Sequence, residues 1–126
     1  MKLLSVALVT VALSASLGVS KSVHAADPLV VSICNFVAAD DKNRLRKKLR
    51  SSKVKLRNIY DGITCDGMSL LQFAMKRNAV NVGEYIVKRL PSGKLAKGLD
   101  LKWADENGFS DSAITTAIKE RIGGGD

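Results

Sequence analysis

The feature that most constrains the fold is the stretch 64–90, where two helical patterns with start and stop signals follow each other. Ser69 is a good N-cap, and Gln72 stands three residues later, as in a capping box. Apolar residues then recur at helical spacing until Asn78, a residue type that tolerates the left-handed conformation found at helix ends. The pattern predicts a helix that begins at about Leu70.

A second helix is predicted directly afterwards. Asn81 with Glu84 repeats the cap-plus-three pattern, and an apolar stripe continues to Leu90 before Pro91 stops the helix. Two short helices joined by about three residues must lie antiparallel. The stretch is therefore predicted to be a helical hairpin.

A single hairpin cannot bury both its faces, so copies of it are expected elsewhere in the chain. Residues 32–49 match residues 69–86 at an offset of 37 without a gap. Residues 107–110 echo residues 66–69 as a partial third copy. We interpret these matches as repetition; the alternative is that any two amphipathic hairpins match this well.

The second hairpin resembles the ankyrin repeat through Asp66-Gly67-Met68-Ser69-Leu70-Leu71, Phe73-Ala74, Val82 and Ile86-Val87. It lacks the Pro after Ser69 and the His after Leu70, and its period exceeds the usual value of about 33 residues. The fold expected from the hairpins and this resemblance is all-α. We expect a small stack of two to two-and-a-half ankyrin-like hairpins, with short extended connectors.

The flanking elements are also predicted. Asp27 and Pro28 mark the start of a first helix, and Asp40 or Asp41 caps a second one through about residue 51. Residues 53–66 are expected to be partly extended. The alternation of residues 99, 101 and 103 suggests a second extended connector, and a pairing of the two is the alternative to separate connectors. A last helix is predicted over residues 110–122.

The chain as a whole resembles a family of small exported bacterial proteins classed as a domain of unknown function. The residues that carry this resemblance are the runs Ser32-Ile33-Cys34-Asn35 and Tyr60-Asp61-Gly62-Ile63-Thr64-Cys65. It implies no activity, substrate or cofactor.

The first 25 residues are predicted to be a secretory signal peptide. Lys2 gives the positive start, residues 3–11 the apolar core, and Val23-His24-Ala25 a small-residue cleavage site. An uncleaved membrane anchor is the alternative. Residues 26–126 would then form one exported domain, periplasmic or secreted, with a frayed glycine-rich end at 123–126.

Cleavage would remove His24, the only histidine of the chain. Histidine is the usual general base and the commonest metal ligand, so we predict no catalytic residue, no metal site and no cofactor. Asp61 and Asp66 flank glycines in a turn and are interpreted as turn residues rather than as an acid and base pair. No small-molecule substrate is inferred.

The two cysteines are Cys34 and Cys65. An even count in an exported chain favours a disulfide bridge, and here only one pairing exists. The bridge would tie the first hairpin to the second and stabilise the fold by about 3–4 kcal/mol. A reactive thiol or redox pair is the alternative.

The least ordinary composition is a run of nine basic residues without a carboxylate between positions 42 and 57. Its members are Lys42, Arg44, Arg46, Lys47, Lys48, Arg50, Lys53, Lys55 and Arg57. They either solvate a helix whose only apolar residues are Leu45 and Leu49, or bind an anionic partner. An acidic protein, an envelope polymer or a lipid is the preferred partner; nucleic acid is the least favoured, because aromatic residues are not interleaved with the run.

The leading functional hypothesis is a non-catalytic exported binding module that recognises such a partner through the basic helix. The second is an inhibitor or assembly factor that uses the 60–68 turn, with Tyr60 and Met68, together with Trp103. A thiol-dependent redox protein is the third. The sequence does not fix the oligomeric state.

Overall fold

The computed structural model describes residues 27–124 and shows an all-α chain, as predicted. The helices are α1 (Pro28–Ala38), α2 (Lys42–Ser51), α3 (Leu56–Ile59), α4 (Leu70–Lys76), α5 (Val80–Arg89), α6 (Ser92–Lys97), α7 (Asp100–Asn107) and α8 (Ala113–Gly124). One turn of 3₁₀-helix, Tyr60–Gly62, follows α3. The predicted signal peptide, including His24, and positions 125–126 of the predicted frayed end lie outside the described residues.

The helices pack as three consecutive pairs, α1 with α2, α4 with α5, and α7 with α8. The first helices of the pairs contact one another in the order α1, α4, α7, and the second helices do so in the order α2, α5, α8. This arrangement lets each pair bury the face that its neighbour leaves open. Helix α5 is central, since it contacts both α2 and α8.

Most of the predicted local signals in the first two pairs are confirmed. The side chain of Asp27 accepts a hydrogen bond from the amide of Leu29 (2.8 Å), and Asp41 caps α2 in the same way. Ser69 and Gln72 form both halves of the capping box at the start of α4. Helix α4 is followed by Asn78, whose φ is +53°.

The start of α5 differs from its prediction. The helix begins at Val80, and its N-cap position, Ala79, makes no side-chain cap hydrogen bond. Asp40, in the turn between α1 and α2, supplies the missing acceptor: its carboxylate takes hydrogen bonds from the Val82 amide (2.8 Å) and from the Asn81 side chain (2.9 Å). Asn81 was therefore wrongly predicted as the cap, because the capping group comes from the neighbouring pair.

The first predicted connector is extended only near Lys55 and Ile63, and the second predicted connector is wrong. Residues 56–62 are helical, because they form α3 and the 3₁₀ turn. This places Leu56 and Tyr60 one helical turn apart, and both side chains are buried. The second connector is helix α7. Leu99, which directly precedes this helix, is 70% exposed. The alternation of apolar residues around position 100 therefore does not mark a buried strand face. Residues 27–124 contain no β-strand, only an isolated bridge between Cys65 and Met68.

The last helix begins three residues later than predicted. Ser110 instead bonds the Asp105 carboxylate, and the Ser112 hydroxyl accepts from the Ile114 amide (3.2 Å) at the start of α8. Helix α6 was not predicted at all; it is six residues long and buries only Leu95.

The core runs through all three pairs. Its largest fully buried side chains are Ile33, Leu45, Leu70, Leu71, Ile86, Leu90, Ile114 and Ile118. Helices α5 and α8 approach closely at Gly83, where an added β-carbon would lie 2.5 Å from the Ile114 side chain. The absence of a side chain at Gly83 therefore fixes how near the third pair can sit to the second.

The disulfide is confirmed: Cys34 in α1 is bonded to Cys65, just before α4, with their α-carbons 5.7 Å apart. It joins the first pair to the segment that leads into the second. The thiol alternative has no free cysteine to use, because both cysteines of the chain lie in this bridge.

Candidate functional site

Helix α2 turns two apolar residues inward and its cations outward. Leu45 and Leu49 are buried four residues apart, so they hold one narrow stripe of the helix against the core. Of the nine basic residues between positions 42 and 57, eight are exposed and Lys48 is half-buried. The whole basic run is thus accessible to solvent. This is required if the cations only solvate the helix, and equally if they bind an anionic partner.

The second helices of the first two pairs form a groove between them, here called the α2–α5 groove. Lys42, Arg46 and Arg50 follow one another at intervals of four residues, so they share one face of α2. Tyr85 and Arg89 line the opposite wall from α5. The groove has two adjoining portions, of about 380 and 250 Å³, that share Arg46, Tyr85 and Arg89.

Helices α2 and α5 lie beside each other in parallel register. At one end Asp40, just before α2, caps the first turn of α5. The larger portion of the groove lies at the other end, where Arg50 and Arg89 line it together with Lys55 and with Arg57 of α3. Residues 46 and 50 of α2 and residues 85 and 89 of α5 all line this portion.

The charges of the groove are nearly all of one sign. Its cations are Lys42, Arg46, Arg50, Lys55, Arg57, Lys88 and Arg89. Among the residues that line it, Glu84 in the smaller portion is the single carboxylate. None of these cations forms an ion pair within residues 27–124; the one ion pair of the basic run, Arg44 with Asp41, lies outside the groove.

One groove cation is positioned by an aromatic ring. The guanidinium carbon of Arg89 lies 5.1 Å from the centroid of the Tyr85 ring, within the range of a cation–π contact. Below the charged walls lie Leu49, Val54 and Leu56, which make the base of the larger portion partly apolar. The arrangement can bind an anion and also cover an apolar part of the same ligand.

The basic run therefore divides into two sets. Five of its members line the groove, and the other four, Arg44, Lys47, Lys48 and Lys53, do not. The groove also contains Tyr85, Lys88 and Arg89, which sequence reasoning did not assign to a site. Lys88 and Arg89 lie in the last turn of α5, where cations also interact favourably with the helix dipole.

None of the three side chains named for the predicted interaction surface, Tyr60, Met68 and Trp103, is fully exposed, although five other residues of the 60–68 turn are. Tyr60 is buried, and its hydroxyl donates to the carboxylate of Asp100 (2.9 Å) while accepting from the Leu71 amide (3.3 Å). Met68 is half-buried, and so is Trp103, whose ring stacks on Phe109 at 5.3 Å. Tyr60 is thus a core residue, which corrects its assignment as an interaction residue.

A buried carboxylate, Asp100, connects α7 to the start of α4. It accepts hydrogen bonds from Tyr60, from the hydroxyl of Ser69 (2.7 Å) and from the side-chain amide of Gln72 (3.0 Å). Burial, together with the nearby Asp100 charge, raises the pKa of Tyr60 well above its ordinary value. The cluster satisfies its own polar atoms, so we interpret it as a structural connection between two helical pairs.

Within residues 27–124 no three His, Cys, Asp or Glu side chains are grouped so that they could hold a metal ion. None of the helices in this part of the chain combines the length and the apolar character that a membrane crossing requires.

A family model described as "Protein of unknown function (DUF3718)" matches residues 33–97, which is more than half of the chain. The matched region runs from α1 to the end of α6, so it contains the disulfide and every residue that lines the α2–α5 groove. The comparison with curated proteins found no match, and neither did the comparison with solved structures.

Proposed function

The chain belongs to this family of proteins of unknown function, and from the groove we propose that it is a non-catalytic binding module for an anionic partner. The observation that carries the proposal is the charge of the α2–α5 groove: seven cations and one carboxylate line it, and no ion pair within residues 27–124 neutralises those cations. An acidic protein, an anionic envelope polymer or a lipid has the charge to match it.

Two physical consequences support this proposal. Like charges on neighbouring helical turns repel each other by a few tenths of a kcal/mol, about 0.2–0.5 per close pair, and a bound anion removes that cost. A concave surface of one sign also concentrates counter-charges and speeds their association. A merely solvated α2 would not need the second cationic wall that Lys88 and Arg89 form on α5.

The test is a charge reversal inside the groove with a matched reversal outside it. Arg46→Glu with Arg50→Glu changes two groove residues, and Lys47→Glu with Lys53→Glu makes the same charge change at exposed positions that do not line the groove. Binding of poly-L-glutamate and of vesicles containing phosphatidylglycerol is measured by titration calorimetry. We expect the groove variant to lose at least about tenfold in affinity, equivalent to 1.4 kcal/mol, and the control to lose much less.

An equal loss in the two variants would contradict the proposal, because it would show that net charge alone governs binding. Circular dichroism of both variants checks that the helices remain folded. The inhibitor or assembly-factor hypothesis has no comparable support, since Tyr60 is buried.

We further propose that the protein is exported after removal of residues 1–25, to the periplasm or beyond, and that its paired helices form an ankyrin-like stack. The apolar run and cleavage pattern support the first point, and the order of contacts among the first and second helices supports the second. Mass spectrometry of protein recovered from the exported fraction tests export: an N-terminus at Ala26 is expected, and a chain that begins at Met1 would refute cleavage.

A further inference from the structure

The two ends of the α2–α5 groove differ in charge. The smaller portion includes Glu84, whereas the larger portion is lined by five cations, Arg46, Arg50, Lys55, Arg57 and Arg89, with no carboxylate among its lining residues. We propose that this larger portion is a binding site for a ligand that carries two phosphoryl groups. The inference rests on the proposed function and specifies which anion the groove takes.

Charge density favours phosphoryl groups over carboxylates. A phosphate monoester carries about −1.5 to −2 charges near neutral pH, so two of them offset most of the five cations, whereas two carboxylates leave three cations uncompensated. Four of the five cations are arginines, whose planar forks donate paired hydrogen bonds to phosphate oxygens. A lysine-rich surface of equal charge would lack this geometric match.

The spacing of the cations favours two phosphoryl groups rather than one. Arg46 and Arg50 are four residues apart on α2, which places them about 6 Å apart along the helix axis. Arg89 faces them from α5, and Lys55 and Arg57 lie beyond the end of α2. One phosphate monoester, at about −2 charges, would leave about three of the five cations uncompensated, whereas two phosphates about one helical turn apart offset most of them.

The rest of the site is suited to a compact group rather than to a flat surface. Its volume of about 380 Å³ lies in the range of small-molecule and headgroup sites, of about 300–1,000 Å³. The Tyr85 ring restrains Arg89, so less side-chain entropy is lost when that guanidinium binds. Leu49, Val54 and Leu56 provide a partly apolar base for the carbon frame that carries the phosphates.

The test compares a sugar bisphosphate with the monophosphate of the same sugar and with a carboxylate ligand. Titration calorimetry on the full chain uses fructose 1,6-bisphosphate, fructose 6-phosphate and citrate as probes at low salt. We expect the bisphosphate to bind at least about tenfold more tightly than either of the others. Replacing Arg50→Gln and Arg89→Gln should abolish that preference, while Lys47→Gln with Lys53→Gln, an equal change of charge, should retain it.

The outcomes separate this inference from the proposed function. If citrate or poly-L-glutamate binds as tightly as the bisphosphate, and Arg50→Gln with Arg89→Gln still weakens binding, the phosphoryl inference is overturned and the anion-binding function stands. If no anionic probe depends on the groove arginines, both are overturned.

Two sources of the same chemistry are distinguished by a vesicle experiment. Lipid A carries two phosphate monoesters, and its monophosphoryl form carries one. Co-sedimentation is measured with vesicles matched in total phosphate charge. Stronger groove-dependent binding to the bisphosphorylated form supports a lipid source, and bisphosphate binding without any such preference supports a free phosphorylated ligand.

Discussion

Tyr60 shows how one buried hydroxyl connects three helices. It begins the 3₁₀ turn, donates to Asp100 at the start of α7 and accepts from the Leu71 amide in α4. The ring fills the core while the hydroxyl satisfies a buried carboxylate oxygen and a helix amide, both of which are costly to leave unpaired.

Replacing Tyr60→Phe removes that hydroxyl and keeps the ring. We expect a loss of about 1–3 kcal/mol in the free energy of unfolding at neutral pH, because the buried Asp100 carboxylate loses a donor. Urea unfolding followed by circular dichroism measures this loss. A change of a few tenths of a kcal/mol would show that the hydroxyl is dispensable.

The difference in stability between the native protein and Tyr60→Phe should also depend on pH. Burial and Asp100 raise the pKa of Tyr60 in the folded protein above its ordinary value of 10.0, so the folded state keeps a proton that the unfolded chain loses. The stability that Tyr60 contributes is therefore fully present below pH 10.0 and decreases as the pH rises further. The stability difference between the native protein and Tyr60→Phe should shrink above that pH in unfolding curves; a constant difference would contradict the assignment.

The role of Asp40 as the cap of α5 could not be predicted from the sequence. Local rules correctly identified Asp27, Asp41 and Ser69 as caps, because each binds an amide two or three residues away in the chain. Asp40 binds an amide 42 residues away, and no local pattern encodes that distance. Asp40 can cap α5 only when the first helical pair is packed against the second.

Among the helices, α5 is the element on which the stack depends. It lies between α2 and α8, and Gly83 allows α8 to approach without a side chain between them. Glycine lowers helix stability by about 0.5–1 kcal/mol relative to alanine, so its presence inside α5 has a cost that the close packing offsets.

Replacing Gly83→Ala should therefore destabilise the protein despite alanine's better helix propensity. The new methyl group would lie 2.5 Å from both Cδ1 and Cγ1 of the fully buried Ile114, and overpacking of this kind costs about 1–3 kcal/mol. In an Ile114→Ala background the clash is absent, and the same substitution should be neutral or stabilising. Chemical unfolding of the four proteins of this cycle measures the coupling, and additive effects would contradict it.

The short elements were the least predictable from sequence. Helices α3 and α6 have four and six residues, too few for a periodic pattern to be distinguished from alternation. Each is held by burial of a leucine, Leu56 or Leu95, against the rest of the molecule. The longer α2, α4 and α5 have two or more turns of apolar stripe; α2 and α4 were predicted almost to the residue, and α5 was predicted with its start two residues too late.

At the scale of the whole molecule, the stack brings together charges that are far apart in sequence. The basic run between positions 42 and 57 was evident from composition, whereas the contribution of Lys88 and Arg89 was not. Their place in the groove depends on how α2 packs beside α5, which the sequence repeat at an offset of 37 does not determine. Five of the groove's seven cations were therefore predictable, and its second wall was not.

Because no ion pair within residues 27–124 neutralises the groove cations, we expect salt to change the stability of the protein without ligand. Repulsion among Arg46, Arg50, Arg57 and Arg89 opposes folding, and added sodium chloride screens it over about 10 Å at 0.1 M. The free energy of unfolding should therefore increase with salt by a few tenths of a kcal/mol, about 0.2–0.5 per close pair. Arg50→Glu should reduce that increase, and a native protein that becomes less stable over the same salt range would contradict the prediction.

The Cys34–Cys65 bridge makes residues 34–65 a closed covalent ring, and all nine cations of the basic run belong to that ring. A protease that cuts after lysine or arginine there would open the ring without releasing either piece. The nicked protein would keep its full mass until a reductant separated the two halves. The segment with the highest density of cleavage sites is thus also the one in which a single cut cannot shorten the molecule.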